Sequence, residues 1–237
     1  MDPDGGSPRQ LTDHFGADVQ PDVSADGRSI VWLQTEAGSS GWHIVVMGAD
    51  GSNPHRITQY PGNYQFPRWS PDGTKILYST PGPSSGELFL VDADGSHPVR
   101  VAGADGLAVR SGAWSPDGTR LAFDLTNGDG LWTIRLDDHS RTRIYTGRCH
   151  SPAWSPDGST IACSDDSQLR LVAADGSGSR QLTSGQGQRF DPAWSPDGTS
   201  IAYMLSIPDY EIHRIALDGS DDINLTRHPA GDQQPTY

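Results

Sequence analysis

The groups in this 237-residue chain that could do chemistry are eight histidines, many serines and 30 acidic residues. Only Glu36, Glu87 and Glu211 among those acids are glutamates, which leaves 27 aspartates. Nucleophilic catalysis needs Ser, His and an acid to converge. The histidines are scattered instead, at His14, His43, His55, His97, His139, His150, His213 and His228. There is no paired metal-type His spacing and no Gly-rich phosphate loop opening a helix. His43 and His213 fall at similar points of a strand pattern and read as partly exposed strand histidines. Asp124 to Asp129 resembles a calcium loop superficially but lacks acids at alternate positions before a Gly. Asp72, Asp117, Asp157 and Asp197 each stand in Ser-Pro-Asp-Gly, where an Asp side chain bonds nearby backbone N–H groups. No catalytic residue, metal site or cofactor is expected from these patterns.

What must position any site is a repeat. Trp-Ser-Pro-Asp-Gly begins at Trp69, Trp114, Trp154 and Trp194, after a degenerate copy, Val23-Ser24-Ala25-Asp26-Gly27. The serines Ser24, Ser70, Ser115, Ser155 and Ser195 lie 46, 45, 40 and 40 residues apart. That period fits a four-stranded propeller blade of about 40–45 residues. In each unit Pro presets φ for a tight turn and Gly closes it, which makes a hairpin of strands a and b. Strand b then reads Ile76-Leu77-Tyr78, Leu121-Ala122-Phe123, Ile161-Ala162-Cys163 and Ile201-Ala202-Tyr203. Both faces of these strands are apolar, so each sheet needs a neighbour on either side, which a ring of blades supplies. Trp114 and Trp154 read as large packing residues between blades.

The predicted fold class is all-β, a β-propeller of four-stranded antiparallel blades with five complete repeats plus a split, incomplete sixth. The five span residues 19–60, 61–105, 106–147, 148–185 and 186–227. Residues 1–18 end a partial blade and 228–237 start another. Met1-Asp2-Pro3-Asp4-Gly5 aligns with Met47 to Gly51, and Pro235-Thr236-Tyr237 with Pro192-Ala193-Trp194. The chain is therefore expected to be a fragment, or a shortened version, of a propeller with at least six blades.

Strand a is innermost in such a fold, so residues shortly before the repeated Trp should line an axial funnel. Those three before it are Gln20, Phe66, Ser111, Ser151, Asp191 and Gln234; those four before it include Gln65, Arg110, His150 and Phe190. They vary while their flanks repeat, and the mixture of aromatic, amide, basic and acidic groups suits a peptide or small polar ligand. A net charge of −13 opposes a nucleic-acid backbone or an anionic membrane surface as partner. No apolar run approaches the roughly 20 residues that cross a bilayer, and no signal-peptide pattern opens the chain, so membrane insertion is not expected. Cys149 and Cys163 fall on neighbouring strands without being clearly opposite, and read as unpaired thiols.

The repeated Pro-x-Trp-Ser-Pro-Asp-Gly, with Ile-Ala-aromatic, Asp-x-Asp-Gly and Arg-x-Leu-Thr after it, resembles the propeller repeats of the TolB family, a WD-repeat-like group. The resemblance runs from Met1 to Tyr237. It implies a non-enzymatic bacterial binding platform for protein or peptide partners, periplasmic or otherwise extracytoplasmic. The separate N-terminal α/β domain of TolB itself has no counterpart here. Similar propellers gate serine peptidases of the prolyl oligopeptidase class or form sugar lyases, so the alternative is the propeller portion of an enzyme.

Overall fold

A computed structural model of the chain describes residues 9–226 apart from 37, 39, 81–85, 104–106 and 208–209. Twenty strands form five four-stranded antiparallel sheets, each with its strands in sequence order. The first sheet holds β1 (Asp18–Val23), β2 (Ser29–Gln34), β3 (His43–Gly48) and β4 (His55–Arg56). The second holds β5 (Gln65–Trp69), β6 (Lys75–Thr80), β7 (Glu87–Asp92) and β8 (Val99–Ala102). The third runs through β9 (Val109–Trp114), β10 (Arg120–Leu125), β11 (Leu131–Arg135) and β12 (Arg141–Tyr145). The fourth runs through β13 (His150–Trp154), β14 (Thr160–Asp165), β15 (Gln168–Ala173) and β16 (Ser179–Gln181). The fifth comprises β17 (Arg189–Trp194), β18 (Ser200–Ser206), β19 (Tyr210–Ala216) and β20 (Ile223–Asn224).

The turn between the first two strands of every blade is built from one local set of bonds. Ser24, Ser70, Ser115, Ser155 and Ser195 each donate from Oγ to the Asp two residues on, at 2.6 Å. The same carboxyl oxygen accepts the N–H of Arg28, Thr74, Thr119, Ser159 or Thr199 at 3.0 Å. These bonds favour the charged carboxylate, so Asp26, Asp72, Asp117 and Asp157 are held below the usual range, chiefly by the serine hydroxyl. Asp197 is lowered to about 2 from an ordinary 3.8. A depressed folded pKa gives stability that is present above the unfolded value and is lost as pH falls through the folded one. The melting temperature is therefore expected to fall as pH drops from about 4 to about 2, and a flat profile there would contradict this account.

Between blades, apolar faces interdigitate. Val31, Leu33, Ile44, Val46 and Ile57 of the first sheet meet Trp69, Ile76, Tyr78 and Val91 of the second. Equivalent clusters join the second sheet to the third, the third to the fourth and the fourth to the fifth. Trp32, Val45 and Met47, on the other face of the first sheet, lie under Leu11. Arg9 beside it donates to the Asp50 carbonyl at 2.7 Å.

The described strands of the fifth and first blades show no comparable packing. Burial of the outer-strand aliphatic records the consequence. Ile57, Val101, Ile144 and Leu182 are 6–8% exposed beneath the next blade, whereas the equivalent Leu225 is 52% exposed. The described residues thus form five blades and no sixth sheet. Met1 to Gly5 and Gln234 to Tyr237, on which the expected sixth blade rests, lie outside the described residues.

The expectation of two unpaired thiols is corrected, because Cys149 and Cys163 form a disulfide with their Cα atoms 5.2 Å apart. The reason is a one-residue bulge in β13. His150 pairs with Ser164 and Ala153 with Ala162, so three steps on one strand oppose two on the other and Cys149 moves one place toward Cys163. Every blade has a pair at this spacing of 14, in different chemistry. Trp32 donates to Asp18, Tyr64 meets Tyr78 edge-on, Val109 and Phe123 share a core cluster, and Arg189 bonds Tyr203.

Candidate functional site at the propeller axis

The inner strands β1, β5, β9, β13 and β17 each carry such a bulge in mid-strand. Four of the residues at the bulge have positive φ without being glycine: Gln20 (54°), Phe66 (53°), Ser151 (51°) and Asp191 (50°). Each precedes a proline, whose ring further narrows the backbone choices of the residue before it. Left-handed backbone at a side-chain-bearing residue costs of order 1–3 kcal/mol and persists only where surrounding structure imposes it. Here bulge and proline together turn Phe66, Ser151 and Asp191 toward the axis.

The resulting cavity encloses about 200 Å³ and is walled by Phe66, Ser111, Ser151 and Asp191, with Asp22 and Arg68 deeper in the ring. Neighbouring blades are tied around it. Gln20 Oε1 accepts the Phe66 N–H at 2.6 Å, and Asp22 Oδ2 accepts the Trp69 N–H at 2.7 Å. Ser151 Oγ donates to Asp191 Oδ1 at 2.8 Å. Burial pushes the Asp22 carboxyl above its ordinary range, against the opposing pull of Arg68 and the Trp69 N–H.

Arg110 and His150 meet at a buried carboxylate. Asp124, 1% exposed in its side chain, accepts the Ser111 N–H at 3.1 Å and the Ser111 hydroxyl at 2.6 Å. His150 Nδ1 lies 3.0 Å from its other oxygen, and Arg110 Nε lies 3.8 Å from that oxygen. A carboxylate at Nδ1 makes that nitrogen the donor and leaves Nε2 to accept when the ring is neutral. Ser111 donates to Asp124 and not to His150, so the nucleophile-to-base bond of acyl-transfer enzymes is not formed.

Among the other residues expected at the funnel, Gln65 opens β5 opposite Ser79, and Phe190 pairs with Met204 half-buried in β17. Gln234 lies outside the described residues. Asp22 and Arg68 are not singled out by the sequence, and Asp124 enters there only as the start of the rejected calcium-loop match. The available signal for Asp124 was an isolated acid inside the apolar run Phe123-Asp124-Leu125. His43 is 5% exposed, with Nδ1 facing the Thr58 carbonyl at 3.3 Å, which corrects its reading as a partly exposed histidine.

Residues 34–166 and 81–237 match the family model of the TolB beta propeller domain. An uncharacterized protein of Agrobacterium fabrum is 32% identical over 135 residues, which are 52% of this chain and 45% of that protein. The Tol-Pal system protein TolB of Anaeromyxobacter dehalogenans is 32% identical over 109 residues, 45% of this chain and 25% of its own length. The uncharacterized peptidase YuxL of Bacillus subtilis is 28% identical over 104 residues, 41% of this chain and 16% of that one. This chain spans less than half the length of each of these curated relatives. TolB from Acinetobacter baumannii superposes with a TM-score of 0.84 at 19% identity, covering 99% of this chain and 60% of that one. An oligogalacturonate lyase in complex with manganese gives 0.66 at 18% identity, covering 89% and 65%. Such identities bear on the fold, whereas the family match spans most of the sequence: the chain belongs to the TolB beta propeller domain family.

Proposed function

We propose that this propeller is a non-enzymatic platform that binds protein or peptide partners at its axial funnel. The observation that carries the reading is that Phe66, Ser111, Ser151 and Asp191, which hold one place in the repeat, line one cavity, three of them (Phe66, Ser151 and Asp191) from left-handed backbone. Backbone held in costly conformations around a polar cavity is spent on presenting side chains rather than on packing. A cavity of about 200 Å³ takes a side chain or chain end rather than a whole metabolite, since pockets for the latter run to roughly 300–1,000 Å³. The TolB relatives are components of the Tol-Pal system by name, which agrees with a partner-binding role. A buried disulfide suits an oxidising, extracytoplasmic compartment. The exposed flank at Leu225 agrees with a sixth blade covering it.

The test uses peptides selected from a random library against the intact protein, measured by calorimetry. Phe66→Ala with Asp191→Ala is expected to weaken binding about tenfold or more, as loss of a central contact does. Arg110 and His150 are poor choices for this test, because their removal leaves the buried Asp124 without its ion-pair partners. Unchanged affinity for a funnel-selected peptide would move the site to the rim.

The Asp124–His150 pair favours a second reading, in which the propeller forms part of an enzyme. Its imidazole would then serve as a base, and Asp124→Asn would shift the acid limb of the pH–rate profile. A profile unmoved by that change would sink this reading.

A further inference from the structure

A groove of about 620 Å³, larger than the axial cavity, lies between the second and third blades, at the end of the inner strands that carries the Ser-Pro-Asp-Gly turns. Its floor includes Trp114, Leu136 and Val99, which is 53% exposed, and its rim includes Asp72, Asp117 and Lys75. The equivalent space between the first and second blades is only about 160 Å³.

The next groove round the ring shows what such a space accepts. Between the third and fourth blades the Arg120 guanidinium lies 4.9 Å over the Trp154 ring, close enough to Asp117 to help lower that carboxyl. Lys75 is the counterpart of Arg120, and Trp114 of Trp154, but Lys75 does not make this stack. Cross-strand pairing explains the difference. Arg120 stands opposite Arg135, which offers it no carboxylate, whereas Lys75 stands opposite Asp92. Lys75 Nζ is held by Asp92 at 2.5 Å, and His97 Nδ1 lies 2.9 Å from the same carboxylate. The Trp114 ring is thus left without a stacked cation, because Lys75 stays on Asp92 at the edge of the groove, and Asp72 and Asp117 stand at the rim.

We propose that the groove between the second and third blades is a second docking site, which takes an arginine or lysine side chain flanked by apolar residues from an extended peptide segment of a partner protein. The cation stacks on Trp114 as Arg120 stacks on Trp154, Asp72 and Asp117 supply the complementary charge, and the flanking apolar side chains cover Val99 and Leu136. This site is independent of the axial funnel.

The experiment follows the Trp114 indole N–H resonance, assigned with Trp114→Phe, while acetyl-Leu-Arg-Leu-amide is titrated into the full chain at low salt. A saturable shift is expected, and acetyl-Leu-Glu-Leu-amide should leave the resonance in place. Asp72→Asn with Asp117→Asn keeps the turn acceptors and should weaken the arginine peptide about tenfold. Asp92→Arg recreates the arrangement of the third blade, releases Lys75 onto Trp114 and should abolish the shift. No saturable shift in the wild type, equal response to the glutamate peptide, or undiminished binding in the carboxamide variant would overturn the proposal. Phe66→Ala should leave this titration unchanged, which separates it from the axial site.

Discussion

Trp154→Ala is expected to lower the unfolding free energy by about 3–5 kcal/mol, the range for truncating a core aromatic. Trp154 is 8% exposed and sits in the cluster that joins the third blade to the fourth, among Leu131, Ile144, Ile161 and Val172. The indole belongs to strand a yet serves the contact between sheets, so its loss opens a gap that neither sheet can close alone. The variant also releases Arg120 from its stack, a smaller effect of about 0.5–1 kcal/mol at a partly exposed site. Trp114 is only half-buried and should cost less on truncation, which departs from the equal weight its motif suggests. Denaturant titration decides the matter. A loss under about 1 kcal/mol at Trp154 would mean that the indole does not stand between blades.

Opening the Cys149–Cys163 bridge should cost about 3 kcal/mol, the chain-entropy figure for closing a loop of about 15 residues. The two cysteines are 14 residues apart and 1% and 0% exposed, so the bridge is sealed within the contact between the third and fourth blades. It also anchors the residue immediately before His150, and with it the start of β13 at the funnel. The comparison is between native protein and Cys149→Ala with Cys163→Ala, unfolded by denaturant without reductant. Alkylation of the unreduced, unfolded wild type should label no thiols, and labelling of both would show that the bridge is not formed.

The fold class was legible because its signals are local. Each Ser-Pro-Asp-Gly turn closes through bonds that span six residues or fewer, so Ser70, Asp72 and Gly73 specify their hairpin wherever the strands go. Five copies at one period then imply five equivalent sheets. The funnel was legible for the same reason, since Phe66, Ser111, Ser151 and Asp191 hold one position in the repeat, three residues before the Trp. The left-handed backbone of Phe66, Ser151 and Asp191 was not legible, because nothing in Phe66-Pro67 or Asp191-Pro192 announces a bulge.

Register is where sequence pattern runs out. A strand with one apolar and one polar face betrays a one-residue slip, but a strand buried on both faces does not. The bulge that moves Cys149 toward Cys163 therefore left no mark, and the disulfide emerged only from the folded pairing. The same holds for Asp124, whose partners arrive from a neighbouring strand and a neighbouring blade, and for Lys75 and Arg120. Those two occupy one repeat position, yet one is drawn to Asp92 and the other, with no carboxylate opposite, lies on Trp154. By itself the sequence determined the turns, the blades and the ring of variable positions, all set by neighbours a few residues away. Only the tertiary structure decided which cation covers which indole, which thiols join and which carboxylate lies buried, because those outcomes depend on charges and side chains that sequence distance does not bring together.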